Sequence, residues 1–359
     1  MPVAALLSNS RAATQNSPRL RMVANGELVL GAVGAEVISN NYYAADRFSA
    51  SLALGIDISM GAEFWSNETD ISLDIQFSLD GGASFTSMVE GTVDCVTVDL
   101  IGGLVHLTGR DLTAPLIEAR TQETFANHTA SEIATLLASR HGLSASVLAT
   151  TTPVGRYYQS EHDAVTLDQF TKTTTEWDLL VFLASHEGYD VFVQGQTLYF
   201  QPTAQLDDVT LTLSPADVME LRLERSLVLA QDIEVVVKSW NSRQNSALVQ
   251  NIRRSSQDST TAPPGQVQSY IYVKPNLTAD AAVQFATQKL AQLTRHERVV
   301  EIRLPGELQL TPRDVIALEG TGTDFDQSYY VDAIERCLTY EGGMTEFIRA
   351  QGTSPRTNS

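Results

Sequence analysis

Through much of this chain apolar side chains recur at every second position, the signature of strands with one face on a core. Leu20 and Met22, then Leu28 and Leu30, flank Asn25-Gly26, a dipeptide suited to a tight hairpin turn. Phe48, Ala50, Leu52 and Leu54 alternate, as do Ile71, Leu73, Ile75 and Phe77 before the turn Asp80-Gly81-Gly82. Val96, Val98 and Leu100 continue the period, and Val105 and Leu107 lead to Gly109. The spacing predicts half-buried antiparallel strands.

Between residues 118 and 200 the period changes. Thr129 and Glu132 form a capping box ahead of Ile133, Leu136 and Leu137, and Gly142 ends that helix. Trp177, Leu180, Val181 and Ala184 predict a second helix that stops at Gly188. Val191–Val193, a Gln194-Gly195 turn and Leu198–Phe200 predict a hairpin, so this stretch is a small α+β unit. Strand character returns at Val209–Leu213 and Ile233–Trp240, and residues 253–265, rich in Ser, Thr and Pro, are the best linker. A strand at Val267–Val273, a helix from Thr278 to Arg295 and alternating strands to about Arg349 complete the chain, with a frayed tail from Gly352.

Length and composition bound what these elements build. The 359 residues suggest two or three domains, and 43% hydrophobic with 19% charged residues suits a folded protein. The net charge of −19 is uneven: 30 Asp/Glu face 12 Lys/Arg in residues 1–240, against 13 and 12 in residues 241–359. Such a surface opposes equilibrium binding to nucleic acid; plain solubility accounts for it, and it would also suit a wall past which DNA slides. Cys95 and Cys337 are far apart, outside any metal spacing, and are expected to be reduced core residues. Met1–Leu7 lacks a basic region and has too short an apolar run for a signal peptide, and no stretch reaches a membrane span. Residence in a cytoplasm is the expectation.

Candidate chemistry is sparse. His186-Glu187-Gly188-Tyr189-Asp190 sits near the zinc-protease helix motif, but Gly188 is placed to end the helix before a second ligand can share its face. Ser78–Phe85 resembles the Asp-box turn of sialidase-like propellers, present here once where those folds repeat it per blade. Asp324-Phe325-Asp326 and Asp207-Asp208 lack the spacing of a calcium loop. His106, His128, His141, His162 and His296 show no motif-level pairing with a Ser or Cys nucleophile, and Gly320-Thr321-Gly322 lacks the helix of a phosphate loop. No catalytic, metal or cofactor residue is assigned.

Taken in order, several segments resemble the baseplate hub proteins of contractile-tailed phages, the late control protein D family, related to the hub portion of type VI secretion VgrG spike proteins. The segments are Ala45-Asp46-Arg47-Phe48, Gly109-Arg110-Asp111 through Leu116-Ile117, Phe125 through Gly142-Leu143, and Leu180–Gly188 with Leu198–Phe200. Ala282–Arg295, Leu310–Val315, Tyr330-Val331 and Gly342–Phe347 continue it, and Arg313 stands where that family commonly has Gly.

The resemblance implies a mainly β fold with an α+β insert. It implies two tube-like antiparallel β-barrel domains per chain, three chains making a pseudo-six-fold ring. Its domains would be 1–118 and the return strands 204–254 (first β-domain), 119–203 (insert), 255–352 (second β-domain) and 353–359 (tail). Pairing between residues before Gly109 and strands after Thr210 is expected. The implied function is a non-enzymatic structural hub adapting a six-fold tail tube to a three-fold central spike. Its partners would be its own copies in a homotrimer, the tube and spike proteins, other baseplate and tape-measure proteins, and DNA passing through the lumen. Such a protein is assembled in the host cytoplasm and resides in the virion. A β-rich carbohydrate-active enzyme or carbohydrate-binding protein is the rival, carried by the lone Asp-box.

Overall fold

The alternating segments fold because each one-sided strand finds apolar cover. The computed structural model describes residues 17–352 apart from 122, 124, 126–127, 152, 155–174, 230–232, 242–245, 255–266, 275–276 and 278. β1 (Arg19–Ala24) and β2 (Glu27–Val29) form the expected hairpin, with Asn25 and Gly26 at φ of 50° and 82°. There follow β3 (Ala32–Asn40), β4 (Arg47–Ala53), the short helix α1 (Ala62–Asn67), β5 (Ser72–Ser78), β6 (Thr86–Asp99) and β7 (Leu104–Asp111). They lie side by side in the order β3-β4-β7-β6-β5-β1-β2, each pair antiparallel. Phe48, Ala50 and Leu52 of β4 and Leu73, Ile75 and Phe77 of β5 fill one core with Trp65 of α1.

Two expectations need correction here. The β6–β7 register shifts between Val93 and Cys95, so the residues facing the core change from odd to even positions. Cys95 is thereby turned outward and exposed, and Cys337 is only half-buried; both are free thiols, not core residues. Leu100 leaves the strand for the β6–β7 turn.

The insert has its own core. It comprises α2 (Ala114–Glu118), β8 (His128–Thr129), α3 (Ala130–Arg140), β9 (Ser144–Val147), β10 (Pro153–Val154), α4 (Glu176–Glu187), β11 (Tyr189–Gln194) and β12 (Thr197–Pro202). Thr129 and Glu132 make the predicted capping box of α3, Thr175 and Asp178 make another for α4, and Gly188 ends α4 at φ 72°. Ile133, Leu137, Leu180, Leu183 and Phe200 are buried together. The β11–β12 turn is Gly195-Gln196, one residue later than the pattern suggested.

The second β-block contains β13 (Val209–Leu213) and β14 (Glu220–Arg225), then a side unit of β15 (Ile233–Asn241), β16 (Ser246–Arg254), β17 (Gln268–Val273) and α5 (Ala279–Thr294). β18 (Arg298–Leu304), β19 (Val315–Leu318), β20 (Ser328–Thr339) and β21 (Gly343–Gly352) complete it. Residues 204–254 were expected to return to the first block, and their described strands do not. β13 pairs β19, β14 pairs β18, and β15 and β16 form a separate three-stranded sheet with β17. Leu211 and Leu213 find their cover on Ile316 and Leu318 instead. Most of the expected linker, residues 255–266, lies outside the described residues, as does the tail.

The expected long-range pairing is present. β20 is antiparallel to β21 on one side and to β3 on the other, with Glu335 opposite Ile38 and Thr339 opposite Gly34. One 13-stranded sheet therefore runs through both blocks as an open path, and no barrel closes among the described strands. Both α/β units leave the same end of the strands. The insert departs after Asp111, opposite Asp46 and near the end of β3, and the side unit departs after Arg225 and returns at Arg298. The two units meet, since the Gln288 side chain lies 3.1 Å from where a Cβ on Gly188 would stand. At the opposite end lie turns and the short helix α1, in the connection from β4 to β5.

Candidate functional site at the three-way junction

The first block, the insert and the second block converge on a cluster of buried charge. The β3–β4 loop supplies Tyr43 and Asp46, β7 supplies Asp111, β11 supplies Asp190 and Phe192, and the turn before β19 supplies Arg313. Tyr43 adopts a left-handed backbone (φ 56°), which aims its carbonyl at the insert, where it accepts a 2.7 Å hydrogen bond from Trp177 Nε1. The Tyr43 hydroxyl donates to Asp190 Oδ1 at 3.4 Å. Asp46 accepts from the Asn40 amide at 2.9 Å, and its own carbonyl accepts from the Asp111 amide at 3.0 Å. Asp111 accepts from the Thr113 hydroxyl at 2.8 Å. The Arg313 guanidinium carbon lies 4.4 Å from the centroid of the Phe192 ring.

Burial sets the electrostatics. It pushes the Asp111 carboxyl up to about 7, with the Asp46 charge adding to the rise, and Asp46 itself up to about 6. Burial likewise pushes the Tyr43 phenol up to about 12. Asp190 is raised by burial and pulled back by Arg313 and Arg295. The Arg313 guanidinium is lowered by burial and supported by Asp190 and Asp46. Beside the cluster lies a cavity of about 800 Å³ lined by Asp46, Asp111, Phe192, Leu310, Arg313 and Arg336. A second buried pair backs its wall: Arg336 lies 2.8 Å from Glu346 Oε1 and donates to the Leu310 carbonyl at 2.6 Å. Burial raises Glu346 to about 7.

The sequence motifs resolve as turns and caps. His186 is in the last turn of α4, Gly188 ends that helix, and Asp190 begins β11, where Tyr43 occupies it. No cluster of His, Cys, Asp and Glu fit for a metal exists among the described residues. In the lone Asp-box, Asp80 accepts from the Ser78 and Ser84 hydroxyls at 2.6 Å, and these bonds hold its carboxyl below the usual range. Its carboxylate serves its own turn. Asp326 does the same for Thr321, with its amide at 2.9 Å and its hydroxyl at 2.6 Å. One histidine pairing was not visible in sequence: Ser51 Oγ lies 2.9 Å from His106 Nδ1 across β4 and β7. It sits on an exposed sheet face. His141 contacts the buried Glu176 at 2.6 Å, which Arg140 also engages. His162 lies outside the described residues.

The junction itself was not foreseen. Asp46, Asp111 and Asp314 belong to the resembling segments, but nothing in spacing joins Asp46 to Asp190 or Arg313. One signal was available. Arg313 takes φ 88°, the conformation that favours the Gly common at that point, so the turn keeps its shape despite the substitution.

A family model described as the Alg8 N-terminal domain matches residues 102–339, more than half of the chain. The chain belongs to the Alg8 N-terminal domain family. The match begins in the β6–β7 turn and ends with the last residue of β20, so it takes in the insert and most of the second block. No curated relative matches the chain.

Solved structures extend the likeness to the first block. The tail protein from Neisseria meningitidis MC58 has a TM-score of 0.69 at 14% identity, covering 95% of this chain and 99% of that one. The prophage MuSo2 43 kDa tail protein from Shewanella oneidensis has a TM-score of 0.67 at 15% identity, covering 93% and 98%. The E. coli c3393 protein, a type VI secretion component similar to T4 tail proteins gp27 and gp5, has a TM-score of 0.54 at 10% identity, covering 93% and 77%. At these identities the shared property is the fold. It is a mainly β tail-protein fold, as the resemblance implied.

Proposed function

We infer that this chain is a non-enzymatic structural hub of a contractile phage tail or a related injection machine. The observation that carries the reading is the tail-protein fold over nearly the whole chain, 95% of it and 99% of the Neisseria tail protein. The continuous sheet supports it. β20 hydrogen-bonds to strands of both blocks and so ties them into one sheet, which suits a part loaded along a tail axis.

In this reading three copies form a ring in which the two β-blocks alternate. The ring adapts a six-fold tube to a three-fold spike, and it contacts baseplate and tape-measure proteins in the virion. The excess acids of residues 1–240 supply a wall that repels DNA phosphates and keeps the passage free of sticking. The buried junction holds insert and blocks at a fixed angle.

Light scattering and negative-stain images of the purified chain, alone and with its spike protein, test the reading. A mass near three chains with a central hole is expected. A compact monomer under both conditions, or saccharide turnover by that monomer, would overturn it. Neutralising lumen-facing acids should slow DNA release without dissociating the ring.

A further inference from the structure

The cavity at the three-way junction contains a cation whose donors the protein leaves unused. Arg313 Nε is buried and has no hydrogen-bond partner among the described residues. Asp190, Asp46, Tyr43 and Asp111 act on the guanidinium through charge alone, without a hydrogen bond. The group lies 4.4 Å from the Phe192 ring centroid, and a ring offers it no lone pair. That contact restrains the guanidinium and leaves its donors open. An unmet buried donor is costly, so acceptor oxygens brought into the cavity are favoured at this point.

Arg313 is also out of keeping with its turn. It stands where the resembling family commonly has Gly, and it holds φ 88°, a conformation in which a Cβ is strained. The turn itself needs no guanidinium. Strain retained at the wall of a cavity points to a use for the side chain.

Acids share the same space. Asp46 and Asp111 line the cavity, about 800 Å³ in volume, with Phe192, Leu211 and Leu310 as apolar wall. The Asp46 charge works against that of Asp111, so an ammonium between them would relieve the repulsion. Asn40 and Thr113 already donate to these two carboxyls, and each keeps spare lone pairs. Asp190 is engaged by Tyr43. A phosphate would set a dianion among several carboxyls and a single open guanidinium. A metal ion finds no fit cluster of ligands among the described residues. A carboxylate matches the guanidinium fork, and the volume suits a ligand up to the size of a short peptide.

We propose that this cavity binds a zwitterion of the amino-acid or short-peptide class, with its carboxylate on Arg313, its ammonium between Asp46 and Asp111, and an apolar side chain along Phe192 and Leu310. Such a site needs neither the ring nor the tail and stands apart from the hub reading.

Calorimetric titration of the full-length chain tests this with L-leucine, leucyl-leucine, isocaproate (leucine without its ammonium) and isoamylamine (leucine without its carboxylate). Leucine, leucyl-leucine or both should bind, and each single-charge analogue at least about tenfold more weakly. Binding of leucine alone assigns the free amino acid; tighter binding of the dipeptide assigns a peptide end. Arg313→Gly suits the backbone of its turn and Asp111→Asn keeps the shape of its side chain, so both should melt cooperatively. Arg313→Gly should lose the preference for leucine over isoamylamine, and Asp111→Asn the preference over isocaproate, a split that general damage to the junction would not produce. Isocaproate binding as tightly as leucine overturns the proposal, as does unchanged leucine affinity in the Arg313→Gly protein. Binding of none of the four probes overturns it as well, and the comparison of probes on the unaltered chain requires no variant to fold.

Discussion

Arg313 and Phe192 join the second β-block to the insert: the guanidinium carbon lies 4.4 Å from the ring centroid, and the ring's other neighbour, Tyr199, stacks at 4.9 Å with planes 5° apart. The arrangement requires Arg313 to hold φ 88°, a strained value for any residue with a Cβ. Contact and strain oppose each other at one residue.

That opposition orders two variants. Arg313→Ala loses the ring contact and keeps the strain; Arg313→Gly loses the contact and relieves the strain. The Gly variant should be the more stable of the two by about 1 kcal/mol. Phe192→Ala should cost about 1–3 kcal/mol and speed amide exchange in β11 and β12. Urea unfolding of the three variants gives the order, and an Ala variant at least as stable as the Gly variant would show that the strain carries no energy.

The junction predicts a pH dependence. Asp46 and Asp111 are pushed up to about 6 and about 7 by burial, and Asp332 and Glu346 each to about 7. An unfolded aspartate titrates near ~3.9 and a glutamate near ~4.3, so the folded state binds these protons more tightly than the unfolded chain. The stability they contribute is complete below those unfolded values and is lost as pH rises through about 6 to 7. The urea midpoint should therefore fall between about pH 5 and pH 8. In Asp111→Asn the fall should be shallower. A midpoint that climbs over this range would contradict the assignment of raised carboxyls.

Gly109 admits no side chain. A Cβ there would stand 2.2 Å from the Thr92 carbonyl oxygen and 2.4 Å from the Phe48 ring, and on Gly91 it would meet the Arg110 carbonyl oxygen at 2.0 Å. Backbone on the neighbouring strand cannot swing aside as a side chain can. Gly109→Ala and Gly91→Ala should each destabilise by about 3 kcal/mol or more, read by chemical denaturation. A loss below about 1 kcal/mol would mean that the β6–β7 pair relaxes far more than a close-packed sheet should.

Arg336 and Glu346 form a buried pair whose partners cannot be removed one at a time without cost. Arg336→Ala leaves Glu346 Oε1 without its cation and the Leu310 carbonyl without the Arg336 donor, while Glu346 Oε2 keeps the Glu307 amide. A loss of about 3–5 kcal/mol is expected. Arg336→Met with Glu346→Gln should recover part of it. A double variant no more stable than Arg336→Ala would show that the pair is not the source of the loss.

The sequence by itself determined the local elements. Asn25-Gly26 set a hairpin because it tolerates positive φ, Thr129 and Glu132 set a helix start because they satisfy each other's amides, and Leu73, Ile75 and Phe77 set a strand face by their period. These are interactions between residues close in the chain. The order of the resembling segments also carried the fold family.

Only the tertiary structure decided the rest. Leu211 and Leu213 could have covered either β-block, since alternation names a buried face but not its partner; the pairing with β19 chose the second block. Cys95 left the core because a bulge one residue earlier reversed the alternation. Ile58 and Ile101 have the same side chain as the buried Ile75, and only the placement of their turns leaves them exposed. Asp46, Asp111, Asp190 and Arg313 meet from three parts of the chain, and their shifted proton affinities arise from burial that exists only once those parts close on one another.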